Sequence, residues 1–276
     1  MALEFLRGDA ALAYEVSGRG TPIVFCHEFA QNHEGWAPQV SRLAPLYRTI
    51  CYSRVGYPPS DVSDKPDAYG FATSVADLGR VVAGVAGSPA HLVGHGAGGN
   101  IALDYTLANP HAVRSLTLIG SGAGSDNPRG WTEAARDFAA RMDQGREGLV
   151  SGIATAPQRQ VFRQRDPAGW ERFVAALGRL SHQGCARAMR GALSRPSFME
   201  LKDQLASLRV PILLILGDQD RPSFEGTIFV LRTAPQASLA VLPLCGHTEN
   251  LESSDLLNQI LSGFLMRVEA GRLPAP

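Results

Sequence analysis

Residues 94–99 read Gly-His-Gly-Ala-Gly-Gly, directly behind the mostly apolar run Ala90-His91-Leu92-Val93. The spacing is that of a G-x-S-x-G turn, where a strand ends, the chain bends sharply and a helix begins, with a nucleophilic serine at the apex. Gly96 stands where that serine would be. The turn is present and the attacking oxygen is missing. Two further positions suit the same chemistry. Asp220 closes Gly217-Asp218-Gln219-Asp220 behind the apolar run that ends at Leu216, and His247 closes Cys245-Gly246-His247 behind another. A serine hydroxyl attacks well only when a histidine takes its proton. A carboxylate holds that histidine in the right tautomer and stabilises its cation. Asp218 is the alternative acid, and His95 beside the turn is expected to pack or cap.

A dinucleotide-binding loop competes for the same glycines, since Gly94, Gly96 and Gly99 fit G-x-G-x-x-G. That fingerprint needs an acidic residue about 20 positions on. Position 119 is Ile, and nothing acidic lies between Asp104 and Asp126, so acyl-transfer chemistry fits better.

The elements that must position these residues are legible. Thr21–Cys26, Thr49–Tyr52, Ala90–Val93, Val113–Gly120 and Val210–Leu216 read as core strands, and Ala237–Leu242 as the next. Leu3–Arg7 and Ala10–Ser17 alternate apolar and polar residues, which suggests an antiparallel edge. Helical spacing lies between them, at Trp36–Leu46, Ala76–Val85, Asn100–Leu107 and 252–269. Gly98 and Gly99 let the helix after the turn sit close to its strand. From about 129 to 208 no strand signal occurs; Trp131, Phe138, Phe162, Trp170 and Phe173 punctuate a helical stretch and suit either a pocket or that stretch's own core. Alternating strands and helices imply a mainly parallel sheet covered on both faces.

The 276 residues carry 26 Lys+Arg against 26 Asp+Glu. Such a balance gives no electrostatic footprint for nucleic acid or an anionic membrane. The apolar stretch near 211–216 is too short to span a bilayer. The opening Met-Ala-Leu-Glu-Phe-Leu-Arg-Gly-Asp lacks a charged segment leading into an apolar one, so no signal peptide is expected. Cys26, Cys51, Cys185 and Cys245 show no paired spacing and read as buried thiols of a reducing compartment, which makes the cytoplasm the expected location. No metal-ligand spacing is evident, no cofactor is called for, and the expected partner is a small-molecule substrate or ligand. A homo-oligomer stays open.

Together these landmarks resemble the α/β-hydrolase fold superfamily nearly end to end. Phe25-Cys26-His27-Glu28-Phe29, followed by Trp36, resembles the His-Gly segment after the third strand; residues 94–98 resemble the nucleophile turn; Asp220 and His247 occupy the acid and base turns. The resemblance implies a mostly parallel eight-stranded sheet with helices on both faces, a core of residues 1–122 and 209–276, and an inserted helical cap at 123–208. It also implies an oxyanion hole built from the backbone N–H groups of Phe29 and Ala97. Two positions depart from the pattern. Gly96 cannot carry an acyl group. Glu28 replaces a glycine, and its carboxylate would oppose an oxyanion if it pointed inward; alternation along an extended segment lets it face the loops instead, and both a structural and an acid–base role stay open. Three readings follow: an esterase- or lactonase-like hydrolase disabled at its nucleophile, an enzyme whose Asp220–His247 dyad works without a covalent step, or a ligand-binding protein.

Overall fold

A computed structural model describes residues 2–272 of the chain; residue 1 and residues 273–276, the outer ends of the expected core segments, lie outside them. Eight strands form one sheet: β1 Leu3–Leu6, β2 Leu12–Ser17, β3 Pro22–Cys26, β4 Arg48–Tyr52, β5 Ala90–His95, β6 Val113–Ile119, β7 Ile212–Gly217 and β8 Ala237–Leu242. Their order is β1-β2-β4-β3-β5-β6-β7-β8. β1 and β2 pair antiparallel at one edge, and β3 to β8 run parallel.

Strand periodicity divides the core. Successive side chains of a strand point to opposite faces. Val24 and Cys26 of β3, with Ile212 and Leu214 of β7, therefore join the helices α2 (Phe71–Val81) and α3 (Ala97–Ala108), through Leu78, Val81 and Ile101. Ile23, Phe25, Leu213 and Ile215 face the other way, onto α1 (Ala37–Leu43) and the final helix, through Leu43, Leu257, Leu261 and Phe264. Strands buried on both faces read as unbroken apolar runs, which is why β3, β5 and β7 are legible in the sequence.

Between β6 and β7 the described residues form no strand; the helices there are α4 Pro128–Asp143, α5 Arg146–Ala154, α6 Gln160–Arg165, α7 Pro167–Leu177, α8 His182–Gly191 and α9 Lys202–Ser207, joined by loops and short single turns. Phe162, Trp170, Phe173 and Leu177 form a core internal to this insertion, which also packs on Ala30 and Tyr57 of the sheet domain. The remaining helices are α10 Phe224–Thr233, α11 Glu249–Glu252 and α12 Ser254–Glu269. The final helical stretch, expected as one element over 252–269, is thus broken at Ser253, where the backbone leaves the helical region at φ −132. The second expected helix starts earlier than its apolar spacing suggests, at Phe71, and ends in a wider turn over Val82–Ala86. Among the described residues no helix is long and apolar enough to cross a membrane.

Candidate active site

Gly96 joins β5 to α3 with φ +52 and ψ −117, a backbone region that side chains other than glycine's enter only under strain. Its N–H donates to Ile119 O at 2.9 Å, which ties the bend to β6. Gly98 follows on the first turn of α3. A Cβ there would meet Cys26 O at 2.1 Å, so only glycine lets the helix start this close to β3.

Asp220 and His247 meet at the ends of β7 and β8. His247 Nδ1 lies 2.8 Å from Asp220 Oδ2, and Asp220 is fully buried. Burial alone would push the Asp220 carboxyl up, but His247 and the Ser223 hydroxyl beside it hold it below its ordinary range. Burial would likewise lower His247, but Asp220 outweighs it and raises the imidazole to about 9. Asp218 plays a different part. Its Oδ1 accepts from Cys245 N–H at 3.1 Å, fixing the turn that carries His247. Glu252 accepts from both Gly246 N–H and Thr248 N–H at 2.8 Å, on the far side of that turn.

His95 does not merely pack. Its Nε2 lies 3.0 Å from Glu249 Oε2, both side chains fully buried, and its ring centroid is 5.4 Å from that of His247. A second imidazole–carboxylate pair therefore stands behind the first. His95, His247 and Glu249 each bring one ligand-type atom within 4.8 Å of the others, a convergence that positions 95, 247 and 249 cannot reveal by spacing alone. His247 is bonded to Asp220 and His95 to Glu249, so these side chains already have partners in one another.

Glu28 points inward, against the expectation that it could face the loops. It is 1% exposed, lines the cavity beside Gly96, and its Cβ lies 3.1 Å from where a Cβ on Gly96 would be. His27 takes the opposite side: its Nδ1 sits 2.7 Å from Glu28 O, and its Nε2 accepts from Arg54 N–H at 3.0 Å. Alternation holds, with the two residues exchanged. The inward carboxylate is neutralised by Arg159, whose Nη2 donates to Glu28 Oε1 at 3.0 Å and whose Nη1 donates to Thr248 Oγ1 at 2.8 Å. Burial would raise Glu28, but Arg159, with His247 and His95, brings it down to about 2.

Phe29 and Ala97, the expected oxyanion donors, both border this cavity of about 140 Å³, together with Glu28, Gly96 and His247. Ala97 is the first residue of α3, and first-turn N–H groups have no partner within their helix. The insertion supplies the roof through Trp131, Met189 and Arg195. Of the aromatic residues in that stretch, Trp131 faces the cavity, whereas Phe162, Trp170 and Phe173 pack on one another, with ring centroids 5.5–6.0 Å apart. A larger recess of about 410 Å³ lies between Gln31 and Phe173 and touches none of these site residues.

A sequence profile described as alpha/beta hydrolase fold matches residues 21–253. The chain is 28% identical over 273 residues to a putative carbamate hydrolase, RutD, of Azorhizobium caulinodans, covering 95% of this chain and 97% of that protein. It is 25% identical to 3-oxoadipate enol-lactonase 1 of Acinetobacter baylyi, covering 95% and 96%. Among solved structures, a thermophilic esterase from Thermogutta terrifontis superposes with a TM-score of 0.85 at 22% identity, over 97% of this chain and 99% of that one.

Proposed function

The chain belongs to the α/β-hydrolase fold family, and from that premise we propose that it hydrolyses a small carboxylic ester, lactone or related acyl compound without a seryl intermediate. Gly96 takes the nucleophile position and closes the covalent route, because nothing there can be acylated. The Asp220–His247 pair then acts on water directly. One observation carries this reading: a carbon at the missing Cβ of Gly96 would lie 3.3 Å from His247 Nε2. The open side of the imidazole is aimed at the space a seryl side chain would enter, and in this reading the attacking water takes that place.

The step balances simply. The water gives a proton to His247 Nε2 as its oxygen attacks the acyl carbon. The carbonyl electrons move onto the carbonyl oxygen, which accepts from the N–H groups of Ala97 and Phe29. His247 returns the proton to the departing alkoxide as the C–O bond breaks, leaving an acid and an alcohol. General-base help contributes roughly 10²–10⁴-fold and one oxyanion donor about 10²–10³-fold, so slow turnover is expected in place of none. Arg159 keeps the Glu28 charge from opposing the oxyanion. The activities that the names of the two relatives carry, on a carbamate and an enol-lactone, support an acyl substrate.

The test assays the chain, Gly96→Ser and His247→Ala on aryl-ester and lactone panels. The unsubstituted chain should turn over slowly with no burst, His247→Ala should lose turnover while keeping affinity, and Gly96→Ser should show an acyl-enzyme burst. Turnover that survives His247→Ala overturns the reading. A ligand bound but converted by none of the three forms makes the protein a binder.

A further inference from the structure

The cavity wall carries more positive charge than its own residues neutralise. Arg159 is paired with Glu28. Arg54 is not so paired. It follows β4, at the end of the sheet where the site lies, and is only 8% exposed. Its Nε and Nη2 are buried and make no hydrogen bond. The groups around it, Tyr57, Tyr52, Cys26 and Cys185, are neutral, because burial pushes each of them up. The guanidinium sits 4.6 Å from the Tyr57 ring centroid, and among the described residues no carboxylate forms an ion pair with it.

Arg195 reaches the same cavity from the insertion. Its Nη2 donates to Ala123 O, its Nε is buried without a partner, and its guanidinium lies 4.2 Å over the Trp131 ring. Burial alone lowers it to about 10. A buried charge without a counter-charge is costly to keep. Buried Arg54 on the sheet side of this small cavity, with half-buried Arg195 reaching it from the insertion, implies that the missing negative charge arrives with the ligand.

We propose that the cavity contains an anion subsite, formed by Arg54 and Arg195, which holds a carboxylate of the acyl compound bound beside Gly96. Guanidinium and carboxylate match as planar, bidentate partners. The substrate is then an ester or lactone that bears a free carboxylate, and its neutral counterpart is a poor ligand. This inference rests on the reading of the cavity as a substrate pocket, but it concerns binding and needs no turnover.

The probes are levulinate, whose ketone stands in for an ester carbonyl and cannot be hydrolysed, and its uncharged amide, levulinamide. Titration calorimetry on the full chain should show levulinate binding at least tenfold more tightly. Arg195→Gln and Arg54→Gln should each remove at least tenfold of that affinity and leave levulinamide unchanged. If Arg54→Gln does not fold, Arg195→Gln carries the test alone. Equal affinity for the two probes, equal losses for both in the variants, no levulinate binding, or inorganic phosphate competing as strongly as levulinate would each overturn the proposal. Comparing turnover of monophenyl adipate and phenyl hexanoate separates the two claims. Levulinate binding without turnover of either ester sinks the hydrolytic reading alone; turnover of both at equal kcat/KM sinks the subsite alone.

Discussion

Glu28 and Arg159, 131 positions apart in the chain, meet as a buried ion pair at 3.0 Å, with side chains 1% and 3% exposed. The pair joins the loop after β3 to the helical insertion at the edge of the candidate site. Removing one partner of a buried pair leaves an uncompensated charge and costs about 3–5 kcal/mol, whereas replacing both by apolar groups is often neutral. Arg159→Met should therefore destabilise strongly in denaturant unfolding. The double variant Glu28→Leu/Arg159→Met should recover most of the loss, and a double variant no more stable than Arg159→Met would show that the pair does not carry the effect.

Two shifts at the site, those of Glu28 and His247, set opposite pH limits on stability. Glu28 falls from 4.5 to about 2 on folding, so its contribution is full above about pH 4.5 and is lost as pH drops towards 2. His247 rises from 6.5 to about 9, so its contribution is full below about pH 6.5 and fades as pH climbs through 9. Each shift corresponds to about 3 kcal/mol at about 1.4 kcal/mol per unit. Buried His91, held at about 4, and His27, held well below its ordinary range, cost stability as pH falls below about 6.5, so melting temperature should peak near pH 6.5. Turnover that needs neutral His247 should instead keep rising to about pH 9. A pH–rate profile with its rise near 6.5 would contradict the pairing with Asp220.

Gly96→Ser should trade stability for chemistry. At φ +52 a side chain costs on the order of 1–3 kcal/mol, and the new Cβ meets Glu28 Cβ at 3.1 Å. The variant should melt lower than the unsubstituted chain and gain burst kinetics on activated esters. A higher melting temperature would contradict the strain.

Asp220 and Asp218 should separate cleanly. Asp220→Asn leaves the geometry but removes the charge that fixes the His247 tautomer, and the equivalent change in a serine protease lowers kcat about 10⁴-fold. Asp218→Asn keeps an acceptor oxygen for Cys245 N–H and should change turnover little, while Asp218→Ala should cost about 1 kcal/mol of stability. A larger kinetic loss at Asp218 would exchange their roles.

The strands and their order of chemistry were legible because buried parallel strands are continuous apolar runs, and because the turns at 94–99, 217–220 and 245–247 have local signatures. The geometry brings Asp220 and His247 together as their turns suggest. Arg159, Glu249, Arg54 and Arg195 were not legible as parts of the site. Arg159 reaches Glu28 only once the insertion is seated. Glu249 follows His247 by two residues but bonds His95, across the sheet. Arg54 sits in a loop recognisable only by its Gly56 and its prolines. For Glu28, the sequence showed that its side chain and that of His27 diverge, but not which of them turns inward.

His247 is fastened to the insertion as well as to the sheet. Its N–H donates to Gln158 O at 2.9 Å, and Arg159 next door grips Thr248. The insertion that roofs the cavity through Trp131, Met189 and Arg195 thus also holds the base, through a different stretch of chain. The position of His247 is set by the seating of residues 158–159 as much as by the sheet that carries it.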